Sequence, residues 1–314
     1  MPDVALALGV GGIKGIAHIG VLRALERNGF SIKAISGSSA GGMVGAVYAA
    51  GNSPDRIIHI VNQLDQNKLF ELNRSPHPAL MDIHGLTKIL SEVIGELTFA
   101  DLAIPFACTT VNIHKSQELV LSEGRLMEAV LATIAIPGVF PPRQLDDAFL
   151  VDGGVLNPVP VSVARWLNPT LPVIAVSLFP SISEGISQTS YRLPSSTPIP
   201  TAIMEYLAKL KFGQAMEIFL TSMEVTSLML TDLRLKAEKP EVIIRPDVTK
   251  FGILDQVEPR ILIEIGEKAV EDALPQIKEA LGWQNTLLRR FRRPTPPARV
   301  IGFPQDHLSS GLSE

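Results

Sequence analysis

The chain is poor in cysteine, histidine, charge and aromatic rings. Of its 314 residues one is cysteine, Cys108, six are histidine, 19% are charged and 5% are aromatic. One cysteine excludes a disulfide framework and any cysteine-rich zinc site, and points to a reducing compartment. The net charge of −4 supplies no field for nucleic acid, so no such partner is expected. Met1-Pro2-Asp3 is acidic where a signal peptide needs a basic region, and a cytoplasmic protein is expected. One long uncharged run, from Ala34 to Pro54, approaches the length of a membrane span. Five glycines interrupt it, so a buried helix behind a glycine-rich turn explains it better.

What the chain has in quantity is apolar material, 46% of its residues, enough at this length for a large core in one domain. Val4–Leu8 reads as a buried strand ending in glycines, and Gly15–Asn28 as an amphipathic helix. A second strand and helix follow at Ser31–Ser36 and Ala40–Ala50. Further strands are expected at Ile104–Val111, Glu118–Leu121, Phe149–Val151, Pro172–Leu178 and Glu241–Ile244. Helices are expected between them near Pro54–Leu64, Leu86–Ile94, Arg125–Thr133 and Val161–Leu167. This alternation predicts an α/β architecture with a largely parallel sheet. Residues 180–200 form a Ser/Pro-rich segment, read as either a mobile surface loop or a lid. Helical patterns resume over Thr201–Leu235 and Gln256–Leu281, and residues 291–314 read as a basic, proline-rich tail.

Two glycine clusters carry chemistry. Gly37-Ser38-Ser39-Ala40-Gly41 fits the Gly-x-Ser-x-Gly nucleophile elbow, in which a tight strand-to-helix turn strains a serine and presents it at a helix N-terminus. An ordinary Gly/Ser turn has the same text. Gly9-Val10-Gly11-Gly12-Ile13-Lys14-Gly15 exposes backbone N–H groups after a strand, as an oxyanion hole or a phosphate cradle requires. The nucleotide uses fail. The sixth position of a dinucleotide fingerprint would be Lys14, no acid follows at the second strand end, and Lys14 precedes Gly15 rather than a hydroxyl residue.

The histidines decide the serine's partner. His18, His59, His77, His84 and His114 come too early for the usual Ser-Asp-His order, and His307 lies in the proline-rich end. A desolvated carboxylate can act instead. Phe149-Leu-Val-Asp152-Gly153-Gly154 delivers Asp152 to a strand end beside two glycines, although an Asp-Gly turn alone is common.

Taken together, these segments resemble the patatin-like phospholipase family. The matching text is Leu8–Leu22, Ile35–Gly51 and Val151–Pro160, in the family's order. The resemblance implies a three-layer patatin-like fold, a mostly parallel central sheet with helices on both faces, in one catalytic domain over 1–290. It also implies a Ser-Asp dyad of Ser39 as nucleophile and Asp152 as proton acceptor. The N–H groups of Gly11 and Gly12 would form the oxyanion hole, with Ala40 a further candidate. Gly9, Lys14, Gly15, Gly37, Gly41, Gly153 and Gly154 match the supporting motif positions. Val10 departs from the family's unbroken glycine run; being β-branched it requires an extended loop entry, with either an altered substrate fit or weakened activity as the expectation.

The implied reaction is hydrolysis of fatty acyl esters of phospholipids or lysophospholipids, with no cofactor and no metal. The alternatives are a catalytically weak lipid- or protein-binding member of the fold, and an acyltransferase or thioesterase. Residues 201–235 and Pro137–Pro142 serve either as an acyl channel or as core. Residues 281–293 place Trp283, Leu287, Leu288 and Phe291 beside four arginines, which suits either an anionic membrane surface or a solvated helix end.

Overall fold

The computed structural model describes residues 1–63, 81, 83–182, 212–282, 289 and 296–303. Nine strands form one mixed sheet. They are β1 (Asp3–Leu8), β2 (Ser31–Ser38), β3 (Phe106–Asn112), β4 (Gln117–Gly124), β5 (Arg143–Leu145), β6 (Ala148–Asp152), β7 (Val173–Val176), β8 (Val242–Ile244) and β9 (Val300–Phe303). The helices among these residues are α1 (Ala17–Arg27), α2 (Ala40–Ala49), α3 (Pro54–Gln63), α4 (His84–Val93), α5 (Leu126–Thr133), α6 (Val161–Leu167), α7 (Phe212–Glu238) and α8 (Pro259–Ala280).

Strand β1 lies at the centre of the parallel part, between β2 and β7, with β3 beyond β2 and β8 beyond β7. It is buried on both faces, and its alternation sorts residues by size. Val4, Leu6 and Leu8 enter the large core shared with α1, α2 and α8. Ala5 and Ala7 point the other way, where Ala34 and Ala175 extend a shallow surface that admits Val161 and Ala164 of α6 and Leu235 of α7. Helices therefore cover both faces. The uncharged Ala34–Pro54 run becomes the end of β2, buried α2 and the start of α3, and no described helix is long and apolar enough to cross a membrane.

At β3 the sheet turns antiparallel, through β4 on one side and β6 on the other. β5 forms a short hairpin with β6; three residues around a polar Arg-Gln pair leave no period to detect in sequence.

The 291–314 segment read as a tail needs a correction. Val300–Phe303 is β9, parallel to β4, with Val120 N–H donating to Arg299 O at 3.0 Å and Phe303 buried. Four strand residues beyond a proline cluster carry no local signal, and only the open edge of β4 gives them a partner. Arg289 is buried and donates to Ala280 O at 2.9 Å, capping the end of α8, so this arginine faces inward rather than toward a membrane. The rest of the basic cluster, Trp283–Leu288 and Arg290–Arg293, lies outside the described residues, as do 183–200 of the Ser/Pro-rich segment, His77 and His307.

Candidate active site

Strands β2 and β6 meet end to end along one edge of β3. Ser38 pairs with Thr109 from one direction, and Asp152 pairs with Thr110 from the other. Since β4 occupies the opposite edge over Cys108–Asn112, the two chain ends must converge there. Ser39 and Asp152, far apart in sequence, are thereby brought to one cavity.

Ser39 joins β2 to α2 with φ 54° and ψ −126°, in the left-handed half of the map. Such a conformation costs about 1–3 kcal/mol and persists only where neighbours enforce it. Enforcement comes from Thr133 at the end of α5, whose hydroxyl accepts from Ser39 N–H at 3.0 Å and donates to Thr109 O at 2.7 Å. Gly41 is required by close approach, because a Cβ there would stand 2.3 Å from Leu8 O. Thr133 is a positioning residue that sequence reading missed, since a threonine ending an apolar helix gives no signal of its own.

Asp152 ends β6 with its N–H donating to Ala135 O at 2.9 Å and its Oδ1 accepting from Gly154 N–H at 2.7 Å. Oδ2 is buried without a well-formed hydrogen bond. Burial pushes the carboxyl up to about 7, against the opposing influences of the Ser39 hydroxyl and Gly154 N–H. The group is thus balanced near neutrality between holding and accepting a proton.

The glycine loop forms the third wall. Val10 N–H donates to Pro158 O and Ile13 N–H to Ile253 O, while the N–H groups of Gly11 and Gly12 make no hydrogen bond among the described residues. Gly12 has φ +57°, and a Cβ on it would lie 2.2 Å from Ile253 O. Val10 is not among the residues with positive φ; it is buried against Phe179 and Leu228. Lys14 is buried, its Nζ 2.7 Å from Glu224 of α7 and 5.3 Å from the Phe179 ring centre. His18 donates from Nε2 to Gly9 O at 2.8 Å, a direction fixed by the carbonyl, and burial lowers it to about 4. It is neutral and holds the loop, and none of the described histidines lines the site cavities.

Two cavities meet at Ser39. The larger, about 170 Å³, runs between α2, α3 and α4 past Met43, Val47, Ile57 and Leu90, and among the described residues Ser39 is the single lining residue with a polar side chain. The smaller, about 60 Å³, is walled by Gly11, Asp152 and Gly154 and by Leu220, Met223, Glu224 and Ser227 of α7. The described part of the 201–235 segment therefore borders the polar cavity, and the main apolar channel lies at α2–α4. Of Pro137–Pro142, Phe140 lines the apolar cavity and Pro137 the polar one. No cluster of three or more metal-ligating residues occurs among the described residues.

The family profile named Patatin-like phospholipase matches residues 6–165, just over half of the chain, including the glycine loop, Ser39 and Asp152 but not α7. The chain belongs to the patatin-like phospholipase family. An NTE family protein of Mycobacterium tuberculosis is 39% identical over 180 residues, covering 56% of this chain and 49% of that protein. A protein named Lysophospholipase NTE1 from Pyricularia oryzae is 26% identical over 294 residues, 88% of this chain and 19% of its own length. The chain thus spans about half of the mycobacterial relative and about a fifth of the fungal one. VipD from Legionella pneumophila shares the fold, with TM-score 0.53 and 14% identity over 87% of this chain and 66% of that one.

Proposed function

We propose that this protein is a lipid acyl hydrolase in which Ser39 is the nucleophile and Asp152 the base. Ser39 Oγ attacks the ester carbonyl while its proton passes to Asp152 Oδ2. The oxyanion is held by the N–H groups of Gly11 and Gly12, with that of Ala40 as a third donor. Asp152 then returns the proton to the departing alkoxide, leaving an acyl-enzyme. Water activated by the same carboxylate releases the fatty acid and restores the serine. Lys14 shapes the loop and does not react.

The observation that carries this reading is the junction at Ser39. A strained serine lies beside a buried carboxylate oxygen that has no well-formed hydrogen bond on one side, and an apolar channel with no other polar side chain among the described residues opens on the other. One acyl chain fits between α2, α3 and α4, and the glycerol-phosphate portion leaves through the smaller cavity. The substrates are accordingly phospholipids or lysophospholipids, and the names of the fungal relatives favour the single-chain class.

Turnover of a soluble p-nitrophenyl acyl ester tests the dyad. Ser39→Ala and Asp152→Asn are each expected to lower it by at least about a thousandfold with the fold intact by circular dichroism. Wild-type-like turnover in either variant refutes the assignment.

A further inference from the structure

Helix α7 has two faces of different character. Inward, Leu220, Met223, Glu224 and Ser227 wall the polar cavity, and Lys14 pins Glu224 to the glycine loop. Outward, Ile218, Ser222, Val225, Met229 and Leu233 recur at spacings of four, three, four and four, which places them on one stripe, with Phe219 beside it. Ile218 and Leu233 are 65% and 61% exposed, and Phe219, Val225 and Met229 are more than 40% exposed. From Ile218 to Thr231 the helix's one charged residue is Glu224, which faces in. A water-facing helix normally carries charge on this side.

We propose that the outer face of α7 seats on a neutral lipid surface and brings the site mouth to its substrate. The identity of the partner rests on the reading of the site as a lipid hydrolase. Three observations select a bilayer. Between Ile218 and Thr231 the face offers no charge for a polar partner to pair with, the Asp232–Lys236 ion pair lying at its C-terminal end. It continues toward the mouth, where Phe219 and Met216 lie against Gly138, next to the cavity-lining Pro137. Its far side is the cavity wall itself, so the surface on which α7 rests lies one helix diameter, about 10–12 Å, from the cavity. Binding by such a face is apolar, and salt leaves it unchanged.

The test uses the full chain with phosphatidylcholine vesicles. Wild type is expected to co-sediment with them at low and high salt. The Val225→Glu, Met229→Glu double variant is expected to bind at least about tenfold more weakly. Its turnover of the soluble ester should match wild type, which separates failure of this inference from failure of the dyad. A Met229→Trp variant should shift its emission to the blue on addition of vesicles. The inference is overturned if wild type does not bind or the double variant binds equally. It is also overturned if wild type sediments as a dimer that the variant dissociates, which assigns the face to a second copy. A fall in thermal midpoint in the double variant, with vesicle binding retained, assigns the face to the chain's own interior and equally overturns it.

Discussion

Asp152 is where stability and chemistry conflict. An aspartate in the unfolded chain titrates near 4, and burial moves the folded-state value to about 7. The folded protein thus binds this proton more tightly than the unfolded chain. The favourable contribution is complete below about pH 4, is lost as pH rises toward 7, and above 7 leaves a constant penalty on the order of 2–4 kcal/mol. Asp152→Asn is therefore expected to raise the thermal midpoint at pH 8 and to leave it nearly unchanged at pH 4, while abolishing turnover. On the proposed mechanism wild-type kcat/KM is expected to rise as pH passes through about 7, because the acceptor must be ionised. Thr133 tests the elbow: Thr133→Val removes the acceptor of Ser39 N–H and a donor to Thr109 O, and a loss of about 1–3 kcal/mol in denaturant unfolding is expected. A drop in kcat with little change in KM should accompany it. Ser39, Asp152 and the glycines were legible as motifs because each needs a residue type that few positions demand. Thr133 was not, because its role exists only once α5 and β3 are side by side.

Among the elements, α2, α3 and α4 line the apolar cavity, and on the proposed reading its length sets which acyl chains fit. Val47→Phe, on the channel wall of α2, is expected to reduce turnover of long-chain p-nitrophenyl esters about tenfold or more while sparing the butyrate. Equal loss across chain lengths would place the acyl group elsewhere. Sequence periodicity located these helices well; Pro54–Gln63 and His84–Val93 lie within two residues of the expected spans. Periodicity says that a face is apolar, however, and not whether it meets another helix or a cavity. Both the channel and the exposed stripe of α7 were therefore invisible in the sequence. Likewise β5 and β9 are too short to show a pattern, and β9 exists because β4 offers an edge.

At the scale of the whole molecule, the site depends on a sheet that changes direction at β3, so that a parallel and an antiparallel strand end at the same point. The α/β alternation announced the parallel half; the reversal follows from hairpin pairings that local sequence does not encode. β9 completes the far edge of that region, and Phe303→Ala is expected to cost about 3 kcal/mol in unfolding free energy through its buried ring. The proposed mechanism turns on one covalent event at Ser39. Reaction with a fluorophosphonate ester, followed by intact-protein and peptide mass spectrometry, tests it directly. A single adduct on the peptide containing Ser39, absent in Ser39→Ala and slowed in Asp152→Asn, is the predicted result; labelling at another residue, or equal labelling of Ser39→Ala, would contradict the account.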